Sequence, residues 1–177
     1  MIIYAPCEDS YLLSREIKRY ISLLKNKNVK VLDMGSGSGI QAEACVLAGI
    51  PKENIIAADI NKASVEHLKK KGFASIKSDL FSNIKGKFEL IIFNPPYLPE
   101  SRFDREKDTA GGKKGYETII RFLKQAKEHL NKNGKIFIVF SSLTKMEKSM
   151  IKGYKIIKKA RKKLFFEELI VWELEKE

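Results

Sequence analysis

Two cysteines, two histidines and no long apolar run are what this chain has least of. Cys7 and Cys45 form no metal-like pair, which argues against a cysteine-built metal site and suits a reducing compartment. His67 and His129 fall in helical patterns with no acid or cysteine at ligand spacing, so both read as packing or surface residues and no metal is expected. No stretch is apolar enough for long enough to span a bilayer, and no secretory leader is evident; a soluble, cytoplasmic protein with no membrane partner is expected. Acidic side chains are also scarce: 22 Asp and Glu face 34 Lys and Arg, a formal net charge of +12. That excess favours anionic partners such as RNA, ribosomes or acidic protein surfaces, although its spread along the chain equally fits a solvated surface. No internal repeat or interdomain linker appears. With 177 residues and 44% hydrophobic content, one domain spanning residues 1–177 is expected.

What is present is an alternation of helix and strand patterns. Leu13, Ile17, Tyr20, Ile21 and Leu24 recur at helical spacing after Glu8-Asp9-Ser10, predicting a helix from about Asp9 to Lys25. Strand-like runs follow at Val29 to Asp33, Ile55 to Asp59, Phe73 to Lys77, Leu90 to Phe93, Ile136 to Phe140, Tyr154 to Ile157 and Leu164 to Leu174. Helical patterns at Ile40 to Ala48, Lys62 to Lys71, Tyr116 to Leu130 and Leu143 to Ile151 separate them. This order predicts an α/β fold, a seven-stranded mostly parallel sheet with helices on both faces. The last two strands are too close for a crossover helix, so one strand should be antiparallel. Pro99 to Gly115 reads as a loop able to order over a bound substrate, and the Lys-rich run from Lys158 to Lys163 as a solvated turn and its flanks.

The stretch "VLDMGSGSGI", Val31 to Ile40, carries the first chemistry. A strand ends at Asp33, and Gly35, Gly37 and Gly39 turn the chain into a helix whose backbone can approach a ligand. A dinucleotide fingerprint would read G-x-G-x-x-G; here the third glycine arrives one residue early, which weakens a nicotinamide reading. Methyltransferases that use S-adenosylmethionine commonly show D/E-x-G-x-G-x-G at this turn, and Asp33 supplies the acid. Asp59, ending the second strand, can accept both hydroxyl hydrogens of a ribose, and Asp79, after the third, a hydrogen from an adenine amino group. Alone, each would read as a helix N-cap; in order behind the glycine turn they outline a nucleoside site.

In "IIFNPPYLPE" a buried strand breaks off into residues that continue a strand poorly. The side-chain carbonyl of Asn94 and the backbone carbonyl of Pro95 can accept hydrogen bonds from a planar NH2 group. Pro96 holds Pro95 extended, and Tyr97 offers a flat face for an amide or a base. An NH2 held by two acceptors aims its nitrogen at an electrophilic methyl carbon, which is catalysis by positioning.

With "NPPY", the glycine turn, "PCEDSYLL" (Pro6 to Leu13) and "AGGKKGYE" (Ala110 to Glu117), the chain resembles HemK-type N5-glutamine methyltransferases over nearly its whole length. The likeness is to the archaeal and eukaryotic branch that methylates the glutamine of the Gly-Gly-Gln motif in the class I translation release factor. It implies a Rossmann-like class I methyltransferase fold and S-adenosyl-L-methionine as cofactor. Cofactor contacts would come from Ser10, Asp33, Gly35, Gly37, Asp59, Ile60, Asp79, Leu80 and Asn94. Asn94, Pro95, Pro96 and Tyr97 would bind the substrate amide, with Asn94, Pro95 and Tyr97 catalytic. Ser10 replaces a usual threonine and Asp33 a frequent glutamate; both keep the polar function. The short stretch before the first helix suits this branch, whose bacterial relatives carry an additional N-terminal helical domain. The resemblance also implies a small zinc-ribbon activator of the Trm type, pairing along the third strand as the sheet edge, with Phe73 and Ile76 exposed nearby. Two rivals remain: methylation of an exocyclic amino group on a base in RNA or DNA, which the positive charge would favour, and a non-catalytic RNA-binding module.

Overall fold

The computed structural model describes residues 3–99 and 112–177. Its elements run α1 (Glu8–Ser22), β1 (Val31–Met34), α2 (Ile40–Leu47), β2 (Ile55–Asp59), α3 (Lys62–Lys70), β3 (Ala74–Lys77), β4 (Phe88–Phe93), α4 (Glu117–His129), β5 (Leu130–Ser141), β6 (Tyr154–Lys163) and β7 (Glu168–Lys176). Apolar runs became strands because both sides of the sheet are covered. In β4, Leu90 and Ile92 point into the core shared with α1 and α2, while Ile91 and Phe93 point into the core shared with α4.

The seven strands lie in the order β3-β2-β1-β4-β5-β7-β6. The first five are parallel, and β7 runs antiparallel to both β5 and β6. The expected sheet, with its one antiparallel strand and its helices on both faces, is therefore present. Strand order reverses beside β1, so the carboxyl ends of β1, β2 and β4 open around one crevice, where sheets of this kind bind ligands. Among the described residues, no helix is long and apolar enough to cross a membrane.

Three expectations need correction. Leu143 to Ile151 is not an α-helix but two 3-10 turns, Ser142–Thr144 and Lys148–Met150. Ser141 accepts a hydrogen bond from the Leu143 N–H, Thr144 spends its hydroxyl on the Tyr97 carbonyl, and Lys145 sits at φ 51°, outside the helical region. Lys158 to Lys163 is strand rather than turn, paired with β7 and supplied with acids from elsewhere: Lys158 meets Glu16, Lys162 meets Glu8, and Arg161 meets Glu168. Finally, β3 is an edge strand as expected, but Phe73 is buried under the Lys52 ammonium, and Ile76 is only partly exposed. Of the expected Pro99 to Gly115 loop, residues 100–111 lie outside the described residues.

Candidate active site

At the carboxyl edge of the sheet lies a cavity of about 380 Å³. Ser10, Gly35, Gly37, Asp59, Ile60, Asp79, Leu80, Asn94, Pro95, Pro96 and Tyr97 all line it. Residues up to 87 positions apart in sequence thus meet on one wall. Asp33 does not reach that wall. It is 1% exposed beneath the glycine turn, where Oδ2 accepts the Ala42 N–H at 3.1 Å and secures the start of α2. Burial, reinforced by the charge of Asp59, pushes its carboxyl up to about 8 against the single backbone hydrogen bond that opposes it.

The turn above Asp33 is glycine for a steric reason. Gly35 sits at φ 61°, and a Cβ there would stand 3.1 Å from the Phe93 ring. The bare backbone leaves that space to the cavity. Asp59 closes this end: its Oδ2 accepts the Gly37 N–H and its Oδ1 the Asn61 N–H, both at 2.8 Å. The carboxylate is thus locked in position at the tip of β2, and each of its oxygens can accept more than one hydrogen bond. Beyond it, Asp79 is paired with Arg121 of α4 through a 2.7 Å contact. Both side chains are about half exposed, and both line the cavity. Next to Asp79, Leu80 holds φ 48°, a left-handed conformation uncommon outside glycine, with its carbonyl bound by the Ser78 hydroxyl at 2.6 Å.

The opposite end is organised by a residue read from sequence only as part of a helix start. Asp9 is 4% exposed and accepts hydrogen bonds from the hydroxyls of Tyr97 (3.0 Å), Tyr4 (3.2 Å) and Ser10 (3.1 Å). It also accepts from Asn94 Nδ2 at 3.3 Å, and Ser10 Oγ takes a second hydrogen of that amide at 3.3 Å. A carboxylate accepts and does not donate, so these contacts fix which way the Asn94 amide faces. Its carbonyl oxygen, Oδ1, is buried and has no hydrogen-bond partner among the described residues. An acceptor left so is costly unless a ligand donates to it. Burial and the neighbouring Asp9 charge push the Tyr97 phenol far above its ordinary range, so it stays a neutral donor.

The segment after the Asn94–Tyr97 turn is held by close backbone approach. Gly115, at φ 84°, lies where a Cβ would stand 2.3 Å from the Tyr97 carbonyl oxygen and 3.0 Å from Pro99 N. That contact explains the glycine at the end of "AGGKKG": no other residue fits against the strand end.

Residues 18–167 match the family described as Methyltransferase small domain. The chain belongs to that family. Its relatives include one of Methanocaldococcus jannaschii, provisionally named a protein N5-glutamine methyltransferase, which is 38% identical over 96% of this chain and 89% of its own length. A release factor glutamine methyltransferase of Rhodopirellula baltica is 34% identical over 64% of this chain, and a ribosomal RNA small subunit methyltransferase C of Haemophilus influenzae is 36% identical over 67%. The methyltransferase chain spans only 45% and 34% of the lengths of these last two.

Proposed function

We propose that this methyltransferase transfers a methyl group from S-adenosyl-L-methionine to the side-chain amide nitrogen of a glutamine, the one in the Gly-Gly-Gln motif of a class I translation release factor. The observation that carries this reading is Asn94 Oδ1, an oriented, buried acceptor with no hydrogen-bond partner among the described residues, on a residue that lines the cavity. The name of the Methanocaldococcus relative supports a protein glutamine as acceptor, and the name of the Rhodopirellula relative supports the release factor as the protein that carries it.

The cofactor fits what is present: a cradle that a Cβ at Gly35 would fill, a fixed carboxylate at Asp59 and a cavity of suitable size. Asp59 would take the ribose hydroxyls, Asp79 and Leu80 the adenine edge, Ile60 one apolar face, and Ser10, Gly35 and Gly37 the rest of the nucleoside and amino acid portions. Asp33 would act from behind, by holding the turn. When bound, S-adenosylmethionine supplies an electrophilic methyl carbon on a sulfonium.

The chain's own task is to present the nitrogen. Asn94 Oδ1 and the Pro95 carbonyl accept the two N–H bonds of the substrate amide, which leaves its nitrogen face directed at the methyl group. Tyr97 supplies the flat surface, and Pro96 stiffens the turn. With bound S-adenosylmethionine supplying the methyl group and its thioether as leaving group, Asn94 Oδ1 and the Pro95 carbonyl would hold the two N–H bonds as the nitrogen gains positive charge, and the surplus proton would pass to solvent. Partial charge on the nitrogen is stabilised by acceptors already in place, so little reorganisation is needed.

Finer features follow from the same reading. A zinc-ribbon activator would pair with the edge of β3, where Ala74 and Lys77 are exposed; with Phe73 buried, that contact relies on backbone pairing more than on apolar surface. A translation factor as substrate also places the enzyme in the cytoplasm. The test is methyl transfer from labelled cofactor to purified release factor, to the same protein with its motif glutamine changed to asparagine, and to ribosomal RNA. Label on the first alone is expected; label on RNA alone would replace the reading by base methylation.

A further inference from the structure

Among the described residues, the two most exposed large apolar side chains are adjacent: Phe165 is 93% and Phe166 85% exposed, with ring centroids 4.8 Å apart at 82°. They occupy the turn between β6 and β7, closed by the Leu164 N–H donating to the Glu167 carbonyl. Because β5 and β6 both run antiparallel to β7, they point the same way, so this turn projects from the same sheet edge as the Asn94–Tyr97 segment. It is also tied to that segment. The Glu168 N–H donates to Ser142 Oγ, Thr144 two residues on donates to the Tyr97 carbonyl, and the Glu167 charge is felt at the Tyr97 phenol.

We infer that the Phe165–Phe166 turn is a docking platform for the substrate protein, gripping a surface beside the loop that carries the glutamine. This inference rests on the proposed acceptor being a protein. Two aromatic rings held in water beside a catalytic cleft are costly unless they are covered in use, and aromatic side chains supply much of the energy of protein interfaces. The surrounding charge selects a protein rather than a nucleic acid. From Lys162 to Glu168 the turn carries two lysines and two glutamates, a balanced set, and the nearest strand cations are already engaged: Arg161 by Glu168 and Lys162 by Glu8. Binding to a phosphate backbone draws on several unneutralised cations, whereas of Arg161, Lys162 and Lys163 at this tip only Lys163 has no ion pair among the described residues. An apolar tip with a balanced polar rim has the make-up of a protein contact.

The test uses the double variant F165S/F166S, whose exposed positions should leave folding intact, checked by circular dichroism and melting temperature. Calorimetry with the class I release factor should show binding weakened about tenfold or more, with a matching rise in KM. Turnover of a short Gly-Gly-Gln peptide and affinity for S-adenosylmethionine should stay unchanged. Equal binding by both proteins, equal losses on peptide and protein, or a wild-type dimer that the variant dissolves would each overturn the platform. If the wild type binds the release factor through this turn but does not methylate it, the functional reading fails and the platform stands. Neither binding nor methylation would overturn both.

Discussion

The two ends of the cavity are built on different principles. Around Asn94 the anchoring groups Asp9 and Ser10 are buried, Asn94 and Tyr97 are half-buried, and the contacts converge on Asp9, so a single orientation of one amide survives. Around Asp79 the polar groups form a half-exposed ion pair with Arg121 that water can compete with. The first arrangement suits a reaction centre, where a small misplacement costs rate; the second suits a cofactor edge, where modest affinity suffices. Substitutions at the buried end should therefore act on turnover, and those at the open end weakly on binding.

Asn94→Ala should have the largest effect, lowering kcat by about a hundredfold to a thousandfold, the range seen when one positioned transition-state partner is removed. Calorimetry should find S-adenosylmethionine affinity nearly unchanged; parallel losses in both would dissolve the distinction between the ends. Asp9→Asn keeps the volume but removes the charge that orders Tyr97, Tyr4 and Asn94. A drop in kcat of roughly tenfold to a hundredfold is expected, with little change in cofactor Kd. Unchanged single-turnover rates would show that the amide does not need its anchor.

At the Asp59 end, proposed to hold the nucleoside, Asp59→Ala should weaken cofactor binding by about tenfold to a hundredfold, since hydrogen bonds to a charged group contribute roughly 1.5 to 3 kcal/mol each. Arg121→Ala should do least: less than about fivefold in cofactor Kd, shrinking further as salt is raised. A larger loss there, insensitive to salt, would mean that Arg121 contacts the cofactor directly and that the open end is more exacting than its exposure implies.

How much of this could be read from sequence depended on how local its cause was. β2 matches its predicted range, Ile55 to Asp59, because an apolar run and a terminal acid are written side by side. The residues of the glycine turn and of Asn94–Tyr97 were legible for the same reason. Asp9 was not: its partners Asn94 and Tyr97 stand 85 and 88 positions away, and only the assembled sheet brings them to it. Arg121 was hidden likewise, 42 positions from Asp79. The failed helix at Leu143 to Ile151 had apolar spacing and a Ser141 cap in its favour, but Thr144 is tied by its hydroxyl to the Tyr97 carbonyl, 47 positions away in sequence, and Lys145 takes a left-handed φ of 51°, which ends the helical turn. The Lys158 to Lys163 strand was masked by its charge, of which Glu16, Glu8 and Glu168 pair with Lys158, Lys162 and Arg161.

The burial of Asp33 has a calorimetric consequence. Its carboxyl moves from 3.8 to about 8 on folding, so over that interval the folded chain holds a proton that the unfolded chain releases. The stability linked to neutral Asp33 is complete below about pH 4 and is lost as pH rises through about 8. Between those limits the wild-type melting temperature should fall with pH relative to Asp33→Asn, which carries no titrating proton at that site. Near neutrality the released proton is taken up by the solvent, so the measured enthalpy of unfolding should change with the ionisation heat of the buffer, and in Asp33→Asn that buffer dependence should diminish.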